Sequence, residues 1–456
     1  MEKYKIDLNI QADVVIVGTG VSGLYAALNL PHDKKIVMIT KSDLESSDSF
    51  LAQGGICVLK NEDDYDSYFE DTMRAGHYEN NKDSVDIMIR SSRDVINDLI
   101  DYGVDFKRTK DGSLAFTREG AHSTPRILFH EDITGKEITS HLLNQVKKLE
   151  NVTLIEEMTM IDIIEKDNEC YGIICRPNKE PNRLITITGG YTIWACGGIG
   201  GLFDNSTNFS HLTGDALAIS LEHGIKLQNP DYIQIHPTTL YSKTPGRRFL
   251  ISESVRGEGA LLLNNAGERF VDELLPRDVV ANAIKDMMEE ENKPCVWLSL
   301  APIDKDDIMH HFPNIYERCL EEGYDATKEP IPVVPAQHYF MGGVDVNRYS
   351  MTSMNRLYAA GETSCNGVHG RNRLASNSLL ESLVFAKRAA RDIIKHMSDN
   401  KNISSHDIAQ DIIKSMDFNI YKDYDKLTDH YKKIVLDEIE RMKKEHEQYN
   451  NEVKCR

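Results

Sequence analysis

Between Phe116 and Ser123 the chain reads FTREGAHS, with Arg118 beside Glu119 and His122 close behind. The stretch follows neither helical nor strand periodicity, so its charges do not decorate a regular element. A charged loop of this kind either faces solvent or takes part in chemistry, and the choice rests on the other titratable side chains. Those gather downstream: Gln234 and His236 in IQIHPT, Ser252, Glu253 and Arg256 in SESVRGEG, Arg277 in LPRD, His338 in QHY and Arg373 in RNRLAS. Each taken alone reads as a surface ion pair or a satisfied core histidine. The chain has a net charge of −19, so an anionic substrate would need Arg and His concentrated locally against that background.

The elements that must position these groups begin at Ala12. Asp13–Val17 is a short β-branched run that reads as a buried parallel strand. Gly18-Thr-Gly-Val-Ser-Gly23 follows at once, and Leu24 to Leu30 continues as an Ala/Leu-rich helix. In such a strand, glycine turn and helix, Gly18 allows the turn, Gly20 lets a pyrophosphate approach the backbone, and Gly23 lets the helix pack on the strand. A second strand, Lys35–Thr40, completes a βαβ unit. The acidic residue that commonly grips the adenosine ribose after that strand is missing, because Thr40 and Lys41 stand there. This disfavours a plain NAD site and leaves another dinucleotide, or another way of holding one.

Three further strand-and-turn segments extend the pattern: the AQGG loop Ala52 to Gly55, TIWACGGIGG from Thr192 to Gly201, and LYAAGE from Leu357 to Glu362. After the last of these, Ser376, Asn377 and Ser378 are good N-caps for a helix with apolar residues at 379, 380, 383, 386, 390, 393, 394 and 397. Its N-terminus would aim a positive dipole at an electron-rich ring. With 456 residues, 40% hydrophobic and 27% charged, the chain has the composition of a soluble protein of two or three domains. It carries no basic run for nucleic acid or membrane surfaces, no apolar stretch of transmembrane length and no signal peptide in MEKYKIDLN, so a cytoplasmic protein is expected. Its 8 cysteines, Cys455 among them, form no CxxC pair, which argues against a zinc or iron–sulfur site and for free, mostly buried thiols.

The motifs GTGVSGL, AQGG, TREGAHS, IQIHPT, ESVRGEGALL, LPRD, HYFMGGV and AAGETSCNGVHGRNRLASNSLLE occur in this order between about residues 10 and 400. In them the chain resembles the flavoproteins of the succinate dehydrogenase and fumarate reductase superfamily, most of all the branch that oxidises L-aspartate. The resemblance implies an α/β fold with a discontinuous Rossmann-like FAD-binding domain, residues 1–228 and 341–398. An α+β capping domain, residues 229–340, is inserted between the parts, and a short helical segment, 399–456, follows. FAD would be held by Gly18, Thr19, Gly20, Val21, Ser22, Gly23, Lys41, Ala52, Gln53, Gly54, Gly55, Asp215, Glu362, Ser378 and Leu379.

By the same resemblance His236, Ser252, His338 and Arg373 clasp the two carboxylates of a dicarboxylic acid, with Gln234 nearby. Arg277 stands where the superfamily has its proton-shuttling arginine. Because arginine is a poor base by its reference pKa, Glu253 and Arg256 would have to support the relay. Glu119 would orient the substrate amine, a group that succinate and fumarate lack, while Arg118 and His122 either hold the loop and balance its charge or touch substrate directly. Membrane-bound relatives bind FAD covalently through a histidine four residues before the Ala of this loop. Here that residue is Asp48, which implies non-covalent FAD.

The implied reaction converts L-aspartate to iminoaspartate, with oxygen or fumarate as acceptor, as the first step of de novo NAD synthesis. A transient contact with quinolinate synthase is then expected, and the alternative is a soluble fumarate reductase. At the C-terminus the chain departs from the longer helical domain usual in this branch. Residues 403–456, with Ile434, Leu436, Ile439 and Met442 as a thin apolar stripe, read as one or two helices packed on the FAD domain or a neighbour, or as a partly disordered tail.

Overall fold

The computed structural model describes residues 6–180, 182–244, 246–399 and 405–454; Met1 to Lys5 of the opening stretch and Cys455 lie outside the described residues. The runs VVIV and IVMI are buried along their whole length. A strand that is apolar on both faces can be covered only inside a parallel sheet with elements on each side. The strands stand in the order Leu357–Ala359, Tyr191–Trp194, Val14–Val17, Ile36–Ile39 and Val152–Ile155, all parallel. The edge strand Leu357–Ala359 comes from far downstream, so the sheet is completed only when the chain returns to it.

The helix Val21–Leu28 packs directly on this sheet. Its close approach depends on Gly23, where an added Cβ would lie 2.1 Å from the Gly18 carbonyl oxygen. Gly18 has φ +114°, and a Cβ there would lie 1.9 Å from the Ala195 oxygen. The helix Ser378–Asp399 crosses behind the same core with Leu380, Leu383, Phe385, Ala386, Ala389, Ala390 and Ile393 buried. Ile394, expected on that face, is instead 36% exposed, because one residue of helix turns the side chain about 100° off the buried stripe.

A second sheet lies against the first, in the order Ile6–Gln11, Leu184–Thr188, Glu169–Pro177, Met158–Lys166. The capping unit is a separate antiparallel sheet of Ile233–Leu240, Ile331–Phe340, Val296–Ser299 and Leu261–Leu263 with its own apolar core. Its helices Arg277–Glu291 and Pro313–Glu321 flank it. Asp132 of the FAD-binding unit caps the second of these across the boundary, its carboxylate accepting from Asn314 Nδ2 at 2.7 Å and Ile315 N at 2.8 Å.

At the C-terminal end, helices Ser405–Ser415 and Tyr424–Lys454 lie on the second sheet and on the helix Asp215–Glu222. Tyr431 and Val435 are buried there, with Leu427, Ile434 and Ile439 packed around them. Leu436 corrects the expected stripe: it is 42% exposed, since its neighbour Val435 occupies the inward position of that turn. Among the described residues no helix is long and apolar enough to cross a membrane, and no group of His, Cys, Asp and Glu forms a metal site.

Candidate active site

One continuous cavity runs from the glycine turn, across the ends of the parallel strands, to the face of the capping unit. At its inner end it is lined by Gly18, Thr19, Gly20, Ser22, Lys41 and the loop Ala52–Gly55, with Asp215, Glu362, Ser378 and Leu379 around them. Val21 and Gly23 are not on this lining. The Val21 N–H is donated to Ser49 Oγ at 3.3 Å, and Gly23 serves the packing of helix on strand. Lys41 Nζ pairs with Asp215 at 2.7 Å and donates to Thr213 Oγ1 at 2.8 Å, which fixes both charged groups at the wall where the ribose-gripping acid was missing from the sequence.

Two buried acceptors on this lining, Asp48 Oδ2 and Gln53 Oε1, meet no partner among the described residues. Buried polar atoms are costly without a hydrogen bond, so the lining is made for a polar ligand that donates to it. A dinucleotide such as FAD fits this requirement and the glycine cradle together. Asp48 Oδ1 accepts from the Phe209 N–H at 3.0 Å. Burial pushes the Asp48 carboxyl well up, against the pull of that N–H and of Arg247.

The outer end is where the capping unit contributes. Arg277, the first residue of its helix, donates from Nε to Glu253 Oε2 at 2.5 Å and from Nη1 to Gln234 Oε1 at 2.8 Å. Arg256 stands 3.3 Å from the same Glu253 carboxylate, behind the lining rather than on it. Burial alone would raise the Glu253 carboxyl, but the guanidiniums of Arg277 and Arg256 outweigh it and hold the group below its ordinary value. Arg373 comes from the returning FAD-binding unit. It lies over the Tyr339 ring, donates to Ser378 Oγ at 2.6 Å and reaches Gln234 Oε1 at 3.3 Å. Burial, and then the nearby Arg277, lower it to about 10.

His236 and His338 meet edge to face, with ring centroids 5.0 Å apart and planes at 72°. His338 Nδ1 is 2.7 Å from Thr207 Oγ1, and His236 Nε2 is buried without a partner among the described residues. Burial pushes both rings well below the ordinary histidine value, and Arg277 adds to it, so both are neutral in the free protein. Ser252 lines the cavity beside them and caps the short helix that carries Glu253 and Arg256. Arg277 and Arg373 thus bring two guanidiniums to the lining of this end beside His236 and His338, in a chain whose net charge is −19. That is an environment for an anion with more than one carboxylate.

Glu119 closes the ring. It is 3% exposed and lines the cavity, and each of its oxygens takes one hydroxyl: Ser254 Oγ at 2.7 Å on Oε1 and Ser376 Oγ at 2.6 Å on Oε2. Burial raises its carboxyl, and Glu253 raises it further. His122 is also buried, with Nδ1 3.1 Å from Arg126 Nη1 and Nε2 3.0 Å from the Ala375 oxygen. An arginine can only donate, so Nδ1 accepts and Nε2–H donates to Ala375, which ties the TREGAHS loop to the RNRLAS loop. Arg126 is in turn buried against Asp64 at 3.0 Å and Asp71 at 2.6 Å. Arg118 has no part in this, since its side chain is exposed.

The sequence reading missed Ser254, Arg247 and Tyr339. Ser254 sits next to Glu253, but its bond to Glu119 spans 135 residues of sequence and no local pattern announces it. Of the seven described cysteines six are buried, and all seven are free.

A family model described as an FAD binding domain matches residues 13–379. An L-aspartate oxidase of Clostridium perfringens is 48% identical over 95% of this chain and 95% of its own length. One from Clostridium acetobutylicum is 51% identical over 89% of this chain and 94% of that protein. Among solved structures, Escherichia coli quinol fumarate reductase superposes with a TM-score of 0.82 at 29% identity, covering 89% of this chain and 74% of that one. The fold is therefore shared with fumarate reductases, while identity near one half over almost the whole length lies with the other group: the chain belongs to the L-aspartate oxidases, a family of FAD-binding flavoproteins.

Proposed function

We infer that this chain oxidises L-aspartate to iminoaspartate at a non-covalently bound FAD, with oxygen or fumarate taking the electrons, as the first step of de novo NAD synthesis. The observation that carries the reading is Glu119, a buried carboxylate set into the same cavity as a grip for two carboxylates. Succinate and fumarate have no use for an anion there. An ammonium taken out of water requires one.

When bound, FAD supplies the two-electron acceptor for the hydride that leaves the substrate Cα. The protein supplies position and charge. His236, His338, Ser252 and Arg373 hold the carboxylates, with Gln234 keeping Arg277 and Arg373 at a fixed separation through its one oxygen. Glu119 accepts from the substrate amine and so fixes which face of Cα is presented. Arg277, held by Glu253 with Arg256 behind it, is the group placed to exchange a proton at the substrate carbon when the reaction runs on fumarate. Asp48 stands where covalent relatives have a histidine and cannot form a histidyl linkage.

The seven cysteines among the described residues, all free, suit a reducing compartment, and we place the enzyme in the cytoplasm. The product hydrolyses readily, which favours its direct transfer to quinolinate synthase through a transient contact. The residue test is Glu119→Gln. It should lower kcat/KM for aspartate sharply while leaving fumarate reduction by dithionite-reduced enzyme much less affected. An unchanged ratio of the two would return the chain to a dicarboxylate flavoenzyme such as a soluble fumarate reductase.

A further inference from the structure

Glu119 is held by two hydroxyls that belong to different parts of the molecule. Ser254 is in the capping unit, within the short helix Glu253–Gly257. Ser376 is in the returning part of the FAD-binding unit, immediately before the helix Ser378–Asp399. Each hydroxyl is itself placed by a second contact. Ser376 adopts φ +60°, a left-handed conformation that costs energy for a side chain other than glycine, Asn or Asp. In that conformation its Oγ accepts the Gly55 N–H at 3.2 Å while donating to Glu119 Oε2 at 2.6 Å. On the other side Ser252 Oγ lies 3.2 Å from Ser254 Oγ and accepts the Ser254 N–H at 3.2 Å. Ser254 Oγ then donates to Glu119 Oε1 at 2.7 Å.

Two short chains of hydrogen bonds thus converge on one carboxylate, one from the AQGG loop and one from the substrate-facing Ser252. We propose that Ser254 and Ser376 are the positioning residues for amine recognition: together they hold Glu119 as an aligned carboxylate, and because Ser254 is carried by the capping unit, the alignment is complete only when that unit is seated. Selectivity for an amino dicarboxylate over a plain one is thereby tied to closure of the site. This inference rests on Glu119 as the acceptor of the substrate amine.

The charged and titratable groups around Glu119 set what loss of a hydroxyl does. Glu253 opposes its ionisation, Arg277 supports it, and Arg256 and Cys57 also interact with it. The two serine hydroxyls support ionisation as well. Removing one leaves burial and Glu253 less opposed, so the carboxyl rises further and the anion is lost at a higher pH.

The test compares Ser254→Ala and Ser254→Thr in the holoenzyme, with Ser376→Ala and Glu119→Gln beside them. Ser254→Ala should lower the ratio of kcat/KM for aspartate to that for fumarate by about tenfold, the effect expected from one hydrogen bond to a charged group. It should also move the acidic limb of the aspartate profile to higher pH without moving the fumarate profile. Ser254→Thr, which keeps the hydroxyl, should restore both. Ser376→Ala should act in the same direction on the ratio. The succinate dissociation constant, read from the flavin spectrum, should change far less in Ser254→Ala than in Arg373→Ala, since succinate has no amine for Glu119 to hold. If Glu119→Gln moves the ratio but Ser254→Ala moves neither ratio nor pH limb, the serine proposal fails by itself. Equal losses for aspartate and fumarate in Ser254→Ala would also overturn it. If Glu119→Gln leaves the ratio unchanged, the amine reading falls and this proposal falls with it.

Discussion

At the scale of single residues, the site is a set of neutral histidines and charged arginines whose donors suit an anion. Arg373→Ala or His236→Ala should weaken succinate, fumarate and aspartate together, each by about 1.5 to 3 kcal/mol, as for a hydrogen bond to a charged group. Titration of the flavin spectrum with each ligand measures this, and a loss confined to one ligand would remove the residue from the common grip. The histidines add a pH dependence with a definite sign. Burial and Arg277 hold His236 and His338 well below the ordinary value in the free protein, and a bound dianion offsets both costs. Binding therefore takes up protons, so the succinate dissociation constant should fall as pH is lowered from about 8 to about 6, and His236→Ala should flatten that slope. These residue types were legible in the sequence because each sits in a short motif. What was not legible is their pairing: Gln234 joins Arg277 to Arg373, and Ser254 joins the capping unit to Glu119, through contacts between distant segments.

At the scale of elements, local periodicity told most where an element is buried on both faces or amphipathic. The runs VVIV and IVMI and the glycine turn between them could be placed because no other arrangement covers them. The second sheet escaped notice, since the pairing of Ile6–Gln11 with Leu184–Thr188 joins segments far apart in the chain. In the C-terminal helix the stripe was read one position off at Leu436. The packing makes a paired prediction there: Val435→Ala, at a buried position, should destabilise by about 2 kcal/mol, whereas Leu436→Ala should stay within about 0.5 kcal/mol. Urea unfolding of the two variants decides between these faces. Asp132 gives a second element-level prediction. As the cap of helix Pro313–Glu321 from across the boundary, its loss in Asp132→Ala should cost about 0.5 to 2 kcal/mol. The cost should appear as faster amide exchange in that helix and a raised KM for aspartate, with FAD affinity unaltered.

At the scale of the whole molecule, the fold is one that two chemistries share, and the division of labour explains how. The parallel sheet and its glycine turn form the inner end of the cavity, the capping unit brings Arg277 and Glu253 on its helices and His236 on its sheet, and the returning chain brings Arg373 and Ser376. None of these units forms the site alone. With Asp48 in place of a linking histidine, FAD should leave with the supernatant after acid or heat denaturation, and flavin retained in the precipitate would contradict that assignment. In the proposed reaction aspartate itself is the reductant. The most direct measurement is to add L-aspartate to the purified, FAD-loaded protein without oxygen and follow the flavin absorption. Bleaching by L-aspartate, reversed by fumarate or air, is the predicted result. A flavin that aspartate leaves oxidised, in a protein that still reduces fumarate when charged with dithionite, would contradict it.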